Sequence, residues 1–443
     1  MASSNISPTV RKNPADGNYV ISITAKSPTN IACIKYWGKR DTKLNLPINS
    51  SVSVTLDMQD LCTVTSVVAS KSFSKDRLWL NGTEEDPSTN KRVQSVLREI
   101  RKRAGAFVDS DGNTIIASNG DWDGYNVHIV SYNTFPTAAG LASSAAGYAC
   151  MVRALSALFQ VSEAYAGELT TIARQGSGSA CRSLYGGFVK WDMGAKEDGT
   201  DSMAVQVATK ADWPEMEAII CVVNDRKKDV SSTGGMALSV ETSLLLDHRA
   251  KHVVEPRLKA IEEAYRSKNF EAFGKLTMQD SNQFHATCLD TFPPIFYMND
   301  VSRDVIQFVH KFNKSLGGIK AAYTFDAGPN AVIFCEKQTS ETLIGALRTA
   351  FSPRVAPALP IRSKVFATDT VDSTKFPPAL ENLPGWEIGE SASPVFKKYW
   401  NGAGGEIKQL IHTRVGEGSY VVKDDETLVE LETGMPKKDY HKF

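Results

Sequence analysis

The strongest constraint in this chain is a run of small residues, Thr134-Phe-Pro-Thr-Ala-Ala-Gly-Leu-Ala-Ser-Ser-Ala-Ala-Gly147, set between two segments of different hydrophobic period. Before it, Tyr125-Asn-Val-His-Ile-Val-Ser-Tyr132 alternates apolar and polar side chains, as a half-buried strand does. After it, Tyr148, Met151, Val152, Leu155, Leu158 and Phe159 fall at helical spacing. The run is therefore a strand-to-helix turn with nothing in it to fill a core. Amides at a helix start lack intrahelical partners and sit at the positive end of the dipole, so an anion complements them. Gly140, Gly147 and the alanines allow close backbone approach, and the Ser143 and Ser144 hydroxyls suit a phosphate or its Mg2+. On the segment alone two readings stay open, a phosphate cradle and a tight helix-packing turn of alanines. No Lys follows the glycine as in G-x-x-x-x-G-K-[ST], so a cation must come from elsewhere.

Two further segments offer one. Ser27-Pro-Thr-Asn-Ile-Ala-Cys-Ile-Lys-Tyr-Trp-Gly-Lys-Arg-Asp41 crowds Lys35, Lys39 and Arg40 beside Tyr36 and Trp37, with a strand-like Ser51-Val-Ser-Val-Thr-Leu56 after it. A solvated turn is the alternative there. Ala173-Arg-Gln-Gly-Ser-Gly-Ser-Ala-Cys-Arg-Ser-Leu-Tyr-Gly-Gly187 sets Ser177 and Ser179 beside Arg182, whose planar fork matches a phosphate or carboxylate. A Gly-rich loop capping a helix would look the same.

Composition narrows the class. The 443 residues suffice for two sizeable cores, and 42% apolar with 23% charged residues is ordinary for a soluble protein. Lys plus Arg and Asp plus Glu number 50 each, so no net field draws in nucleic acid or a membrane, and any anion site must be local. Seven scattered cysteines without a C-x-x-C pair suggest reduced thiols and a cytoplasmic protein. Cys181 reads as a small packing residue rather than a nucleophile. No stretch approaches the roughly 20 apolar residues of a membrane span, and neither a signal-peptide core nor a lipidation signal is present.

The organisation expected is a flexible tail at residues 1–18, an ATP-binding unit at 19–210 and a second unit at 211–443. Gly186–Trp191 reads as a strand of the first unit, and Ala218–Val223 opens the second. Ser231-Ser-Thr-Gly-Gly-Met236 reads as a polar turn, after the charged run Asp225–Asp229. Helical patterns cover Met236–His252, Pro256–Ser267, Asn269–His285 and Asn299–Leu316, and strands return at Ala321–Phe325 and Ala331–Cys335. Residues 356–360 and 376–378 are loops by composition. His248 and His252 share a helix face, but no Glu completes H-E-x-x-H and Arg249 and Lys251 would repel a cation, so an exposed charged helix is expected. His285 reads as a packed helix residue. Asp326 ends the strand Ala321–Phe325 just before Ala-Gly-Pro-Asn330, where a carboxylate either caps the turn or points into a cleft.

Four of these segments together, Asn30–Asp41, Phe135–Ser144, Gly176–Ser183 and Tyr323–Ala331, closely resemble the diphosphomevalonate decarboxylases, which belong to the small-molecule kinase superfamily of galactose, homoserine, mevalonate and phosphomevalonate kinases. The resemblance runs from about Ile21 to Val415. It departs at Gln175, where relatives carry a basic residue; Ala142, where kinases at large have Gly, fits the decarboxylases.

The resemblance implies a two-domain α/β (α+β) fold. Its N-terminal domain is like ribosomal protein S5 domain 2, its C-terminal domain is a ferredoxin-like α/β sandwich, and the active site lies in the cleft between them. It implies a homodimer that takes mevalonate 5-diphosphate and ATP with Mg2+, no nucleic acid and no membrane. Asp326, Lys35 and Arg182 are the implied catalytic residues. Asn30, Tyr36, Trp37, Gly38, Lys39, Arg77, Ser177, Gly178, Ser179, Ala180, Cys181, Arg182 and Thr233 are implied to hold substrate. Pro136, Ala139, Gly140, Leu141, Ala142, Ser143, Ser144 and Gly147 are implied to hold ATP, with Ser144 near the metal. The reaction implied is phosphorylation of the 3-hydroxyl, then loss of phosphate and CO2 to give isopentenyl diphosphate for isoprenoid and sterol synthesis. A plain alcohol kinase of the same superfamily and a catalytically silent ligand sensor are the alternatives.

Overall fold

The computed structural model describes residues 6–109, 111–135, 143–223, 229–351, 359, 361–363 and 407–440. Three larger sheets carry these residues. The first runs in the order Thr9–Lys12, Tyr19–Pro28, Cys62–Ser70, Asn126–Asn133, Arg77–Leu80 and Thr83–Glu85. The helix Ser143–Leu158 packs across Tyr19–Pro28 and Cys62–Ser70. Ala145, Ala146 and Ala149 are fully buried there, and the Cys150 thiol reaches the Ala25 and Thr63 carbonyls at 3.1 and 3.3 Å. Small residues thus bring this helix close to the sheet backbone. The alanine-packing reading is correct for the helix body, and Ser143 and Ser144 are left at its exposed start.

The second sheet orders Ala204–Ala208, Phe188–Trp191, Ser51–Thr55 and Asn30–Ile34. The third orders Ala321–Phe325, Ala331–Glu336, Met216–Val222, Gln409–Arg414 and Ile361–Ser363, antiparallel except for the last pair. One apolar core joins these two sheets, running from Ile31, Val54 and Phe188 through Trp213 to Ile219, Phe273 and Phe334. Phe270–Asp290, a helix of 21 residues, touches both edge strands, Asn30–Ile34 and Ala321–Phe325. The ends of those two strands are thereby held in register across the junction.

The structure corrects three expectations. Residues 9–12 are an edge strand paired with Tyr19–Ser22, because Asn13-Pro-Ala-Asp-Gly-Asn18 turns the chain back with Gly17 at φ +73° and the Gly17 amide on the Asn13 carbonyl. Residues 1–5 of the expected tail lie outside the described residues. The chain after Val415 returns to the first sheet, where Tyr420–Val422 pairs with Thr24–Lys26 and Leu428 and Val429 are buried against it. Ser231–Met236 is a helix start: Ser231 caps Ser232–Thr242 by accepting from the Gly234 amide. The expected helix Met236–His252 is three pieces, Ser232–Thr242, Leu244–His248 and a π-turn at Arg249–Val253. The loops expected at 376–378 and most of 356–360 lie outside the described residues, as do residues 225–228 of the charged run.

Candidate active site

A cavity of about 580 Å³ opens where the second and third sheets meet. Lys35 follows the strand Asn30–Ile34 and Asp326 follows Ala321–Phe325, so each is the first residue released from an edge strand. Their side chains meet at 2.6 Å, Nζ to Oδ1. The lysine side chain is 3% exposed and the aspartate 29%, which puts the cation at the back and the carboxylate toward the opening. The Asp326 backbone is fixed by the Phe325 amide on Ser281 Oγ at 3.0 Å and by the Gly328 amide on its own carbonyl at 2.7 Å.

Arg182, on the short helix Ala180–Ser183, is fully buried, yet its hydrogen-bond partners are neutral. Its Nε donates to Asn30 Oδ1 at 3.2 Å and Ser53 Oγ at 3.0 Å, and Nη1 donates to Ser51 Oγ at 2.6 Å. Burial pushes its pKa below the ordinary value, and nearby Asp326 works against that fall. A buried guanidinium held by hydroxyls and an amide, with no bonded carboxylate among the described residues, awaits an anionic ligand.

The segment Tyr36–Lys39 lines the same wall. The Trp37 indole donates to Ser239 Oγ at 2.9 Å and packs edge-on against Phe284. The Tyr36 hydroxyl is buried without a hydrogen-bond partner among the described residues, and burial raises its pKa. Gly38 has φ +92° and no room for a Cβ, which would come within 2.6 Å of Ile48. Gly178 is equally tight, since a Cβ would meet Tyr36 at 2.8 Å. Lys39 Nζ donates to Asn45 Oδ1 at 2.6 Å. Burial, and then the charge of Arg92, lower the Lys39 pKa to about 8. Arg92 reaches across the cleft from the helix Lys91–Lys102 to Thr233 Oγ1 at 2.7 Å.

Ser143 and Ser144 line the cavity at the start of the helix Ser143–Leu158, and Ser144 Oγ lies 3.2 Å from Ser177 Oγ. The two hydroxyl-bearing segments are therefore adjacent in space. The remaining ATP-loop residues, Pro136, Ala139, Gly140, Leu141 and Ala142, lie outside the described residues. Among the described residues no cluster of three His, Cys, Asp or Glu could hold a metal. Hydroxyls at a helix start fit a Mg2+ that arrives on nucleotide phosphates.

Asn30, Lys35, Tyr36, Trp37, Lys39, Ser143, Ser144, Ser177, Gly178, Ser179, Arg182, Thr233 and Asp326 all line this cavity. Arg77 does not: it forks onto Glu84 at 2.8 and 2.9 Å and stacks on Trp79, far along the first sheet, which corrects its expected place at the substrate. Ala180 and Cys181 are wholly buried behind the wall, and burial raises the Cys181 pKa to about 12. Gly38 and Gly147 do not line the cavity. Sequence reasoning missed Asn45, Arg92, Met236 and Phe284, which line it from other elements. Asn45 adopts a positive φ of 54°, which a polar turn residue takes up most readily and which only the structure shows.

The fold is a mixed α/β architecture whose cavity gathers Lys35, Lys39, Arg92 and Arg182 with the Asp326 carboxylate. Residues 27–204 match the diphosphomevalonate decarboxylase-like N-terminal domain, and residues 218–422 match the mevalonate 5-diphosphate decarboxylase C-terminal domain. A diphosphomevalonate decarboxylase of Ganoderma lucidum is 48% identical over 425 residues, covering 94% of this chain and 100% of that one. The solved mevalonate diphosphate decarboxylase from Trypanosoma brucei superposes with a TM-score of 0.76 at 33% identity, covering 92% of this chain and 100% of that one. The structure of MDDEF in complex with MVAPP, AMPPCP and magnesium superposes at 0.65 with 29% identity, covering 91% and 99%. The chain belongs to the diphosphomevalonate decarboxylase family.

Proposed function

We propose that this protein carries out ATP-dependent decarboxylation of mevalonate 5-diphosphate to isopentenyl diphosphate, ADP, phosphate and CO2. The observation that carries the reading is the Lys35–Asp326 pair, 2.6 Å apart, in a cavity that also contains Arg182, whose bonds go to the neutral Asn30, Ser51 and Ser53. Asp326 accepts the proton of the 3-hydroxyl as that oxygen attacks the γ-phosphorus in line. Lys35 orients the carboxylate beside the reacting atoms through their 2.6 Å contact. The C–O bond of the new phosphate ester then breaks with its electron pair leaving on phosphate. The C–C bond to the carboxylate supplies the electrons of the new double bond, and CO2 departs.

Arg182 sits where a guanidinium can hold the substrate carboxylate or the new phosphate. Tyr36, Lys39, Arg92 and Thr233 form the wall for the diphosphate, while Ser143 and Ser144 face the nucleotide phosphates. Mg2+, when bound with ATP, neutralises phosphate charge beside these hydroxyls. A relative at 29% identity, solved in complex with MVAPP, AMPPCP and magnesium, supports a nucleotide and Mg2+ as ligands of this family. The two units are taken as residues 19–210 and 211–415, in a cytoplasmic enzyme that feeds isoprenoid and sterol synthesis. No helix among the described residues is long and apolar enough to cross a membrane. The exposed apolar side chains of Leu244, Phe292 and Phe296 support a homodimer, which sedimentation will test.

The experiment is product identification by 31P and 1H NMR after incubation with Mg-ATP and mevalonate 5-diphosphate. Isopentenyl diphosphate is expected. A stable 3-phosphorylated product would make the protein a kinase instead.

A further inference from the structure

Asp280 and Arg249 form a fully buried ion pair, each side chain at 0% exposure, deep in the second unit and outside the cavity lining. A buried pair of this kind is weak evidence for stability, because apolar replacements of equal volume often do as well. Its contacts point to another purpose. Asp280 Oδ1 accepts from the backbone amide of Lys35 at 2.7 Å and from Arg249 Nη2 at 2.7 Å. The same Nη2 donates to the Lys35 carbonyl at 3.1 Å. A third buried group, Asn49, donates to that carbonyl at 3.0 Å. The two sides of the Lys35 residue are thus gripped at once, its N–H by the carboxylate and its C=O by the guanidinium and the amide.

The clamp is built from distant parts of the chain. Asp280 lies mid-helix in Phe270–Asp290, and Arg249 opens the π-turn Arg249–Val253, a local irregularity of the kind found near functional sites. Arg257 Nη1 at 2.9 Å and Arg249 Nη1 at 2.8 Å hold Asp280 Oδ2. Gln283 Oε1 accepts from both arginines at 2.9 and 2.8 Å, so the carboxylate cannot swing away from Lys35. Lys35 stands directly after an edge strand, where the ladder no longer fixes the backbone.

We propose that Asp280, Arg249 and Asn49 are positioning residues that lock the Lys35 backbone and so place its ammonium against Asp326. The inference rests on the reading of Lys35 and Asp326 as the catalytic pair. None of the three touches the cavity; each acts through Lys35 alone.

A double-mutant cycle tests it. Arg249→Lys keeps the charge opposite Asp280 but replaces the fork that reaches both Asp280 and the Lys35 carbonyl. In the otherwise native protein it lowers kcat by about 10- to 100-fold with KM little changed, the scale of a small misplacement of a reacting group. In a Lys35→Met background the same substitution lowers kcat by less than about twofold, because nothing remains to be positioned. Equal losses in the two backgrounds, or an unchanged kcat in the native background, overturn the proposal. Lys35→Met with native kcat overturns the reading of Lys35 itself, and the two failures are distinct. Should Arg249→Lys not fold, judged by its circular dichroism and melting curve, Asn49→Ala replaces it, since it leaves the ion pairs intact. A smaller kcat loss that vanishes in the Lys35→Met background is then the supporting result, and no loss overturns the proposal.

Discussion

Lys39 offers the sharpest test of how the cavity handles charge. An ordinary lysine, titrating at 10.5, is fully charged through any practical assay; burial beside Arg92 brings Lys39 down to about 8. In the free enzyme it is protonated in about nine molecules of ten at pH 7, half at pH 8 and one in ten at pH 9. If the diphosphate binds only the ammonium form, kcat/KM falls as pH rises through 8, by about tenfold between pH 7 and 9. The bound diphosphate restores the proton, so the limb in kcat lies at higher pH than the limb in kcat/KM. Lys39→Arg stays charged throughout and removes the limb near pH 8, although a guanidinium on Asn45 binds less well. Lys39→Met also removes the limb and gives a uniformly low kcat/KM. Steady-state rates from pH 6.5 to 9.5 at fixed ionic strength and free Mg2+ read all three proteins. A native profile flat to pH 9.5, or a Lys39→Met variant that keeps the limb, refutes the reasoning.

Other outcomes follow from the same geometry. Asp326→Asn leaves Lys35 facing a neutral amide, and kcat drops by about 100-fold or more while substrate affinity, read by calorimetry, changes little; a rise in KM alone would remove the carboxylate from the chemistry. Arg182→Lys loses the fork that binds Asn30, Ser51 and Ser53 together, so activity falls steeply in a coupled assay, and near-native rates would make Arg182 a packing residue. All seven cysteines are buried, with burial raising Cys33, Cys150, Cys181, Cys221 and Cys288 to about 12, so iodoacetamide at pH 8 labels the native protein slowly and the unfolded protein fully. Rapid native labelling with loss of activity would show a reactive thiol.

What the sequence revealed follows the range of each interaction. Lys35, Asp326 and the serines lie at strand ends and helix starts, where local pattern announces a turn, and the structure places them in one cavity. Arg92 was illegible because its helix reads as an ordinary charged surface, and only tertiary packing points it at Thr233. Arg249 misled for the same reason, standing between exposed His248 and His252 yet itself buried. Its partner Asp280 lies 31 residues away, beyond any helical spacing. Arg77 failed in the opposite sense: resemblance placed it at the substrate, and a local partner, Glu84 on the adjoining strand, holds it elsewhere. The return of Tyr420–Val422 to the first sheet depends on a pairing across some 400 residues, which no local pattern encodes.

The central claim, that one site couples phosphoryl transfer to carbon–carbon cleavage, is tested most directly by following ADP and CO2 together from purified protein with ATP, Mg2+ and mevalonate 5-diphosphate. The account predicts equal release of the two, with none of either when mevalonate 5-diphosphate is omitted. ADP without CO2 would contradict it.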